Sequence, residues 1–173
     1  MAETPKENEK NGAAAATNPS GQFAIHKIYV KDISFETPHT PTIFTEEWNP
    51  NVNMQLGSEA VHVNDSQVEV ILTVTVTTNI GEKTAYLVEV HVAGIFQISD
   101  FPRQAIEHMA ATVCPNILFP FAREVVCDLV TRGGFPQLLL APVNFEALYA
   151  QQQQEVRAAK STGQPATEEE TKH

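Results

Sequence analysis

Two cysteines, Cys114 and Cys127, and six histidines at positions 26, 39, 62, 91, 108 and 173 are the side chains of this 173-residue chain best suited to nucleophilic or metal chemistry. A cysteine attacks as its thiolate, and a helix N-terminus lowers the thiol pKa. Cys114 precedes Pro115, a residue type that opens helices, so it is the one candidate nucleophile, with His91 or His108 as its base. Cysteine is also among the most buried residue types, and a packed, inert thiol fits the apolar residues that follow it. Cys127 and Asp128 fall in the middle of a helical pattern, a poor place for a nucleophile or a general base. The histidines are scattered: none completes HExxH, and no Cys-His set has zinc spacing. GxxxxGK[ST], GxGxxG and GxSxG are all absent, so there is no signature of a phosphate cradle or a strained serine elbow. These residue types point away from catalysis, cofactors and an ATP-driven cycle.

The remaining chemistry is electrostatic and apolar. With 11 Lys+Arg against 21 Asp+Glu the formal charge is −10. Binding to nucleic acid rests on phosphate neutralisation, and binding to an anionic membrane surface on polybasic segments; both classes are disfavoured. Each terminal segment, 1–21 and 155–173, carries a net −1, which leaves −8 on residues 22–154. No Lys or Arg occurs between Lys31 and Lys83, while Asp32, Glu36, Glu46, Glu47, Glu59, Asp65, Glu69 and Glu82 do. Such a stretch reads as a solvated acidic face or as a docking patch for a basic partner. No run of about 18 apolar residues spans a bilayer, and the acidic N-terminus has no apolar core of a secretory signal. A cytoplasmic protein with reduced thiols is expected.

The elements that must position these groups follow from periodicity. Residues 1–21 read as a disordered arm, 22–154 as the globular domain and 155–173 as a flexible tail. Residues 23–34 alternate as a strand, with Phe23, Ile25, Tyr29 and Ile33 on one face and Ile28 and Val30 on the other. Pro38, Pro41 and Pro50 then forbid a regular helix, so the segment that carries Phe35, Ile43, Phe44 and Trp48 is an extended crossover loop. Val52, Met54 and Leu56 mark a short strand. Val68, Val70, Leu72, Val74 and Val76 alternate with polar residues on a long strand, which turns at Gly81 into a return strand over 84–96. On that strand Tyr86, Val88, Val90 and Val92 share one face, and Leu87, Glu89 and His91 the other. Helical spacing covers 103–113, and Ile117, Phe121, Val125 and Leu129 recur every four residues, in a stripe widened by Leu118, Phe119, Val126 and Val130, up to the Gly133-Gly134 stop. Asn144 is suited to cap a last helix. The sheet has too little polar surface for one wet face, so a second cover, another copy of the chain, is expected. Apolar side chains on a crossover loop and a sheet edge suit capture of extended, unfolded polypeptide without ATP.

Four segments carry a specific resemblance. IYVKDISFETP (28–38), GIF (94–96), CPNILFPFARE (114–124) and RGGFPQLLLAPVNFEALY (132–149) resemble the SecB family of protein-export chaperones of Gram-negative bacteria, in one register over about residues 22–152. The resemblance implies an α+β fold: a four-stranded antiparallel sheet, Greek-key-like with a long crossover loop, backed by helices. It implies a homotetramer built as a dimer of dimers. It also implies that unfolded secretory precursor proteins are held in apolar grooves and handed to the SecA ATPase. SecA would dock through its basic, zinc-containing C-terminal segment, the zinc belonging to SecA, and would also meet the flexible C-terminal tail. By position, the SecA-binding residues are Asp32, Glu36, Leu87 and Glu89. The client groove is assigned to Phe44, Trp48, Val52, Met54, Leu56 and Tyr149. Val88, Val90 and Val92 match positions that the resemblance assigns to subunit contacts, where many relatives have Cys and Gln at the first and last. The alternatives are a thioesterase-like enzyme or an assembly scaffold on a similar fold.

Overall fold

The computed structural model describes residues 21–162, and side chains up to 158. Most of the expected arm and the end of the expected tail lie outside the described residues. Four strands, β1 (Gln22–Glu36), β2 (Pro50–His62), β3 (Gln67–Ile80) and β4 (Lys83–Ser99), precede three helices. These are α1 (Arg103–Ala111), α2 (Val113–Arg132) and α3 (Phe145–Thr162). Residues 155–162 of the expected tail are therefore helical.

The sheet order is β1-β4-β3-β2, and every neighbouring pair is antiparallel. β2, β3 and β4 form consecutive hairpins, while the segment after β1 crosses from one edge of the sheet to the other. That is a Greek key closed by the expected crossover. Gly81 makes the β3–β4 turn at φ 57°, a conformation that disfavours side chains with a Cβ. β2 is longer than the short strand expected from Val52, Met54 and Leu56, because Gly57, Ser58 and Glu59 interrupt the apolar alternation without interrupting the ladder to β3.

β3 alternates strictly: Val68, Val70, Leu72, Val74 and Val76 are buried, and the residues between them are half-buried. The buried face packs against α2, whose innermost ridge is Cys114, Leu118, Ala122, Val126 and Val130. Leu118, Val126 and Val130 belong to the widened part of the expected stripe, whereas Phe121, expected inside, is 45% exposed. The small side chains of Cys114 and Ala122 let α2 approach the valines closely. Gly94 serves the same approach: a Cβ there would lie 3.0 Å from Leu118 Cδ2 and 2.6 Å from the Phe96 ring. Pro115 sits in the first turn of α2, where a missing N–H costs nothing. Gly133 and Gly134 (φ 84°) end the helix, with the Phe135 N–H donating to the Val130 carbonyl. Asn144 caps α3, its Oδ1 accepting from the Ala147 N–H at 3.0 Å.

This packing bears on two expectations. Val88, Val90 and Val92 are at most 1% exposed and belong to the core beneath α2. They face the chain's own helix, so the structure gives them a packing role under α2. Shortening Val90 to Ala is expected to cost about 2 kcal/mol, the transfer term plus a residual cavity. The change reads out as a lower urea midpoint without a change in oligomer mass; a change in mass at unaltered stability would support the interface assignment.

The second expectation concerns β1. Register shifts between Ile25 and Lys27 and between Val30 and Asp32 insert extra residues into this edge strand. Each bulge reverses the parity of the residues that follow. Phe23, Ile25, Ile28, Val30, Ile33 and Phe35 consequently pair with residues of the helix-covered face of β4, from Ile98 through Val88. Tyr29 pairs with Ala93 on the opposite face. The two-faced split read from simple alternation, with Tyr29 beside Ile25, does not hold.

Candidate functional site

Two surfaces stand out, on opposite faces of the sheet. The first runs along the β2 edge on the helix-covered side. α2 packs over β3 and β4, so the matching face of β2 lacks a full cover. Val52, Met54 and Leu56 project there, in register with Thr78, Val76 and Val74. Val52 and Met54 are 41% and 36% exposed, while Leu56 is half-buried.

One end of this row is aromatic. The crossover loop is pinned by Ile43, 2% exposed in the core, and by the Lys83–Glu46 ion pair at 2.6 Å. So fixed, it lays Phe44 and Trp48 on Phe135, with ring centroids 5.1 and 5.8 Å apart. Phe135 packs onward against Tyr86, the tilted rings 4.9 Å apart. Phe44 and Trp48 nevertheless keep about half and a third of their surface open, at 51% and 38%.

The other end is a cavity of about 630 Å³ between β2, α1 and α3, lined by Leu56, Ala60, Val68, Ile106, Phe145, Leu148 and Tyr149 among others. α3 is held there by His108 of α1, which bonds the Glu146 carboxylate at 3.0 Å and meets the Tyr149 ring edge-on at 5.3 Å. The six expected groove residues thus fall into two clusters joined by β2. Leu56 and Tyr149 line one cavity; Phe44 and Trp48 share one aromatic platform. Phe135, the centre of that platform, was missed, although it opens the FPQLLLAPVNF segment; its proline-bounded context suggests a linker rather than an anchor.

The second surface is the open face of β1, β4 and β3. Glu36 pairs with Leu87, Ser34 with Glu89, and Asp32 with His91, so the four expected docking residues lie on one face within three adjacent rungs. Glu89 is held on both oxygens. The Thr75 hydroxyl donates to Oε2 at 2.9 Å, and His91 Nε2 lies 3.0 Å from Oε1. These bonds hold its carboxyl below the usual carboxylate range, His91 being the larger cause and Thr75 the next. Lys31, the neighbour of Asp32 in the chain, turns away and pairs with Glu69 at 2.8 Å, where the Tyr29 hydroxyl also donates. Lys31 and Tyr29 together depress the Glu69 carboxyl. Among the described residues no Lys or Arg pairs with Asp32, Glu36 or Glu89, so this end of the face keeps its negative charge.

The candidate nucleophile is a packing residue. Cys114 is fully buried beneath the sheet, and burial pushes its thiol up to about 12. No group of three or more His, Cys, Asp or Glu among the described residues could hold a metal ion. No described helix is long and apolar enough to cross a membrane.

The chain is similar to known proteins. Protein-export protein SecB of Nitrosococcus oceani is 53% identical over 155 residues, covering 88% of this chain and 94% of that protein. Protein-export protein SecB of Methylococcus capsulatus is 55% identical over 149 residues, covering 86% of this chain and 94% of that protein. Among solved structures, a SecB-like chaperone of Mycobacterium tuberculosis, in complex with an antitoxin peptide, shares the fold with a TM-score of 0.60. Its identity is 18%, over 70% of this chain and 91% of that one. The family model described as preprotein translocase subunit SecB matches residues 15–156, and the chain belongs to the SecB family.

Proposed function

We propose that this protein is a cytoplasmic, ATP-independent chaperone that holds secretory precursors unfolded and delivers them to SecA. The observation that carries the reading is the β2 row. It links exposed Phe44, Trp48, Val52 and Met54 to the cavity lined by Leu56 and Tyr149. Extended polypeptide suits such a surface: side chains enter apolar pockets spaced along a free sheet edge, whose unpaired backbone groups can bond the client. Met54 adds a thioether that adapts to varied shapes. On the opposite face Asp32, Glu36 and Glu89 ring Leu87, an apolar centre with a charged rim that fits a basic segment of SecA.

The homotetramer belongs to the same reading. Val88, Val90 and Val92 lie beneath α2, whereas on β1 the helix-side residues Ile25, Val30 and Ile33 are 48%, 43% and 45% exposed. A second copy seated on the β1 edge would cover them and leave the β2 edge free for clients. Several grooves in one assembly would then engage one long chain with avidity beyond any single contact.

Native mass spectrometry with a urea-diluted, unfolded secretory precursor tests the proposal. A tetramer of 19.0 kDa chains that takes up one unfolded precursor and ignores the folded form is expected. An assembly that takes up neither would refute the chaperone reading.

A further inference from the structure

The open sheet face contains a hydrogen-bonded chain that the docking reading does not use. Thr73 Oγ1 lies 3.2 Å from His91 Nδ1, His91 Nε2 lies 3.0 Å from Glu89 Oε1, and the Thr75 hydroxyl donates to Glu89 Oε2 at 2.9 Å. Its polarity follows from the acceptor. A carboxylate only accepts, so the imidazole proton sits on Nε2 and points at Glu89, and the Thr73 hydroxyl donates to the bare Nδ1. The side chains of His91 and Glu89 are 29% and 40% exposed, so the pair sits at the surface with one partner half sunk into the sheet.

We propose that His91 is a positioning residue for Glu89 and a charge gate on the acidic face: in both forms its Nε2–H holds Oε1 and orients the carboxylate, and protonated it adds a built-in positive charge that opposes a basic partner. This inference rests on the docking reading above and deepens it to a regulation of that surface. The groups facing His91 are few. On its own strand there is Glu89; β1 places Asp32 opposite it; β3 contributes Thr73 and, at the next rung, Thr75. Lys31, next to Asp32 in the chain, is turned to Glu69. Glu89 and Thr73 thus contact the imidazole, and Asp32 sits at the paired position of β1. A proton taken up by His91 lowers the local negative charge by one. An imidazole is the side chain that makes this change within the physiological range. When it does, Nδ1 becomes a donor and the Thr73 hydroxyl can rotate to accept, so the chain persists with its polarity reversed at one link.

The test compares full-length wild type with His91→Gln, whose amide can still donate to Glu89 but does not titrate. The half-exposed position tolerates the exchange, and the thermal midpoint confirms that the variant is folded. The probe is the zinc-loaded, basic C-terminal segment of SecA, measured calorimetrically at pH 8 and at pH 6. The ratio of the two affinities at each pH cancels any titration of the probe itself. At pH 8 the two proteins should bind within about twofold of each other; at pH 6 His91→Gln should bind about threefold to tenfold more tightly. A ratio that does not change with pH overturns the gate while leaving docking intact. Glu89→Lys serves as the control for the underlying reading: if it binds the probe like wild type, or wild type does not bind at all, the docking assignment falls and the gate with it.

Discussion

Glu89→Lys is expected to weaken SecA binding by about 30-fold to 100-fold, while capture of an unfolded precursor stays within twofold of wild type. The size follows from three features. The carboxyl is held below the usual carboxylate range by His91 and Thr75, so at neutral pH its charge is fully present. It is prealigned on both oxygens, so binding a cation costs little ordering. Lysine at this point replaces attraction by repulsion in a patch where, among the described residues, no Lys or Arg offsets the acids. Raising salt from low to physiological concentration should weaken wild-type docking and have little effect on the variant, because exposed charges are screened over about 8 Å. The client groove lies on the other side of the sheet, which is why the two activities should separate. Loss of precursor capture by Glu89→Lys, measured as failure to delay the precursor's refolding, would show that the two faces are not independent.

The converse experiment targets the groove. Trp48→Ala combined with Met54→Asp should weaken capture of unfolded precursor by about 10-fold to 100-fold, with SecA docking unchanged. Both residues are exposed, at 38% and 36%, so their replacement costs the fold little, and a bound client is what loses contact area. Trp48 offers a large rigid surface braced by Phe135 at 5.8 Å; Met54 lies midway along β2 between the aromatic platform and the cavity. A carboxylate at 54 would place an unpaired charge where an apolar side chain of the client must be buried. Refolding of a precursor in the presence of the variant, followed by tryptophan-independent fluorescence, measures this directly. An undiminished delay would mean that clients bind elsewhere. The cavity lined by Leu56 and Tyr149 would then carry the affinity alone.

How far each surface could be read in advance depends on the physics of each element. The valine ladder of β3 needed no tertiary information: alternation of period two over ten residues has one solution, a strand buried on one side. The capped α3, the Gly133-Gly134 stop and the proline-rich crossover are equally local, since caps, turns and proline act on their immediate neighbours. The absence of catalytic motifs, the excess of acid and the segments shared with the SecB family likewise belong to the residues themselves.

Tertiary structure decided what each face looks at. Alternation on β4 separates Val88, Val90 and Val92 from Leu87, Glu89 and His91, but it does not say whether the valines meet a helix or another subunit. That depends on where α2 comes to rest, and the small residues Cys114, Ala122 and Gly94 bring it directly over them. On β1 even the parity was hidden, because two bulges at the sheet edge each exchange the faces and leave no mark on an alternating pattern. The Thr73-His91-Glu89-Thr75 chain was out of reach for the same reason: its members come from two strands, and only the β3–β4 register sets Thr73 beside His91 and Thr75 beside Glu89. Local periodicity is a property of the chain, whereas register, bulges and the choice of cover are set by contacts between residues far apart in it.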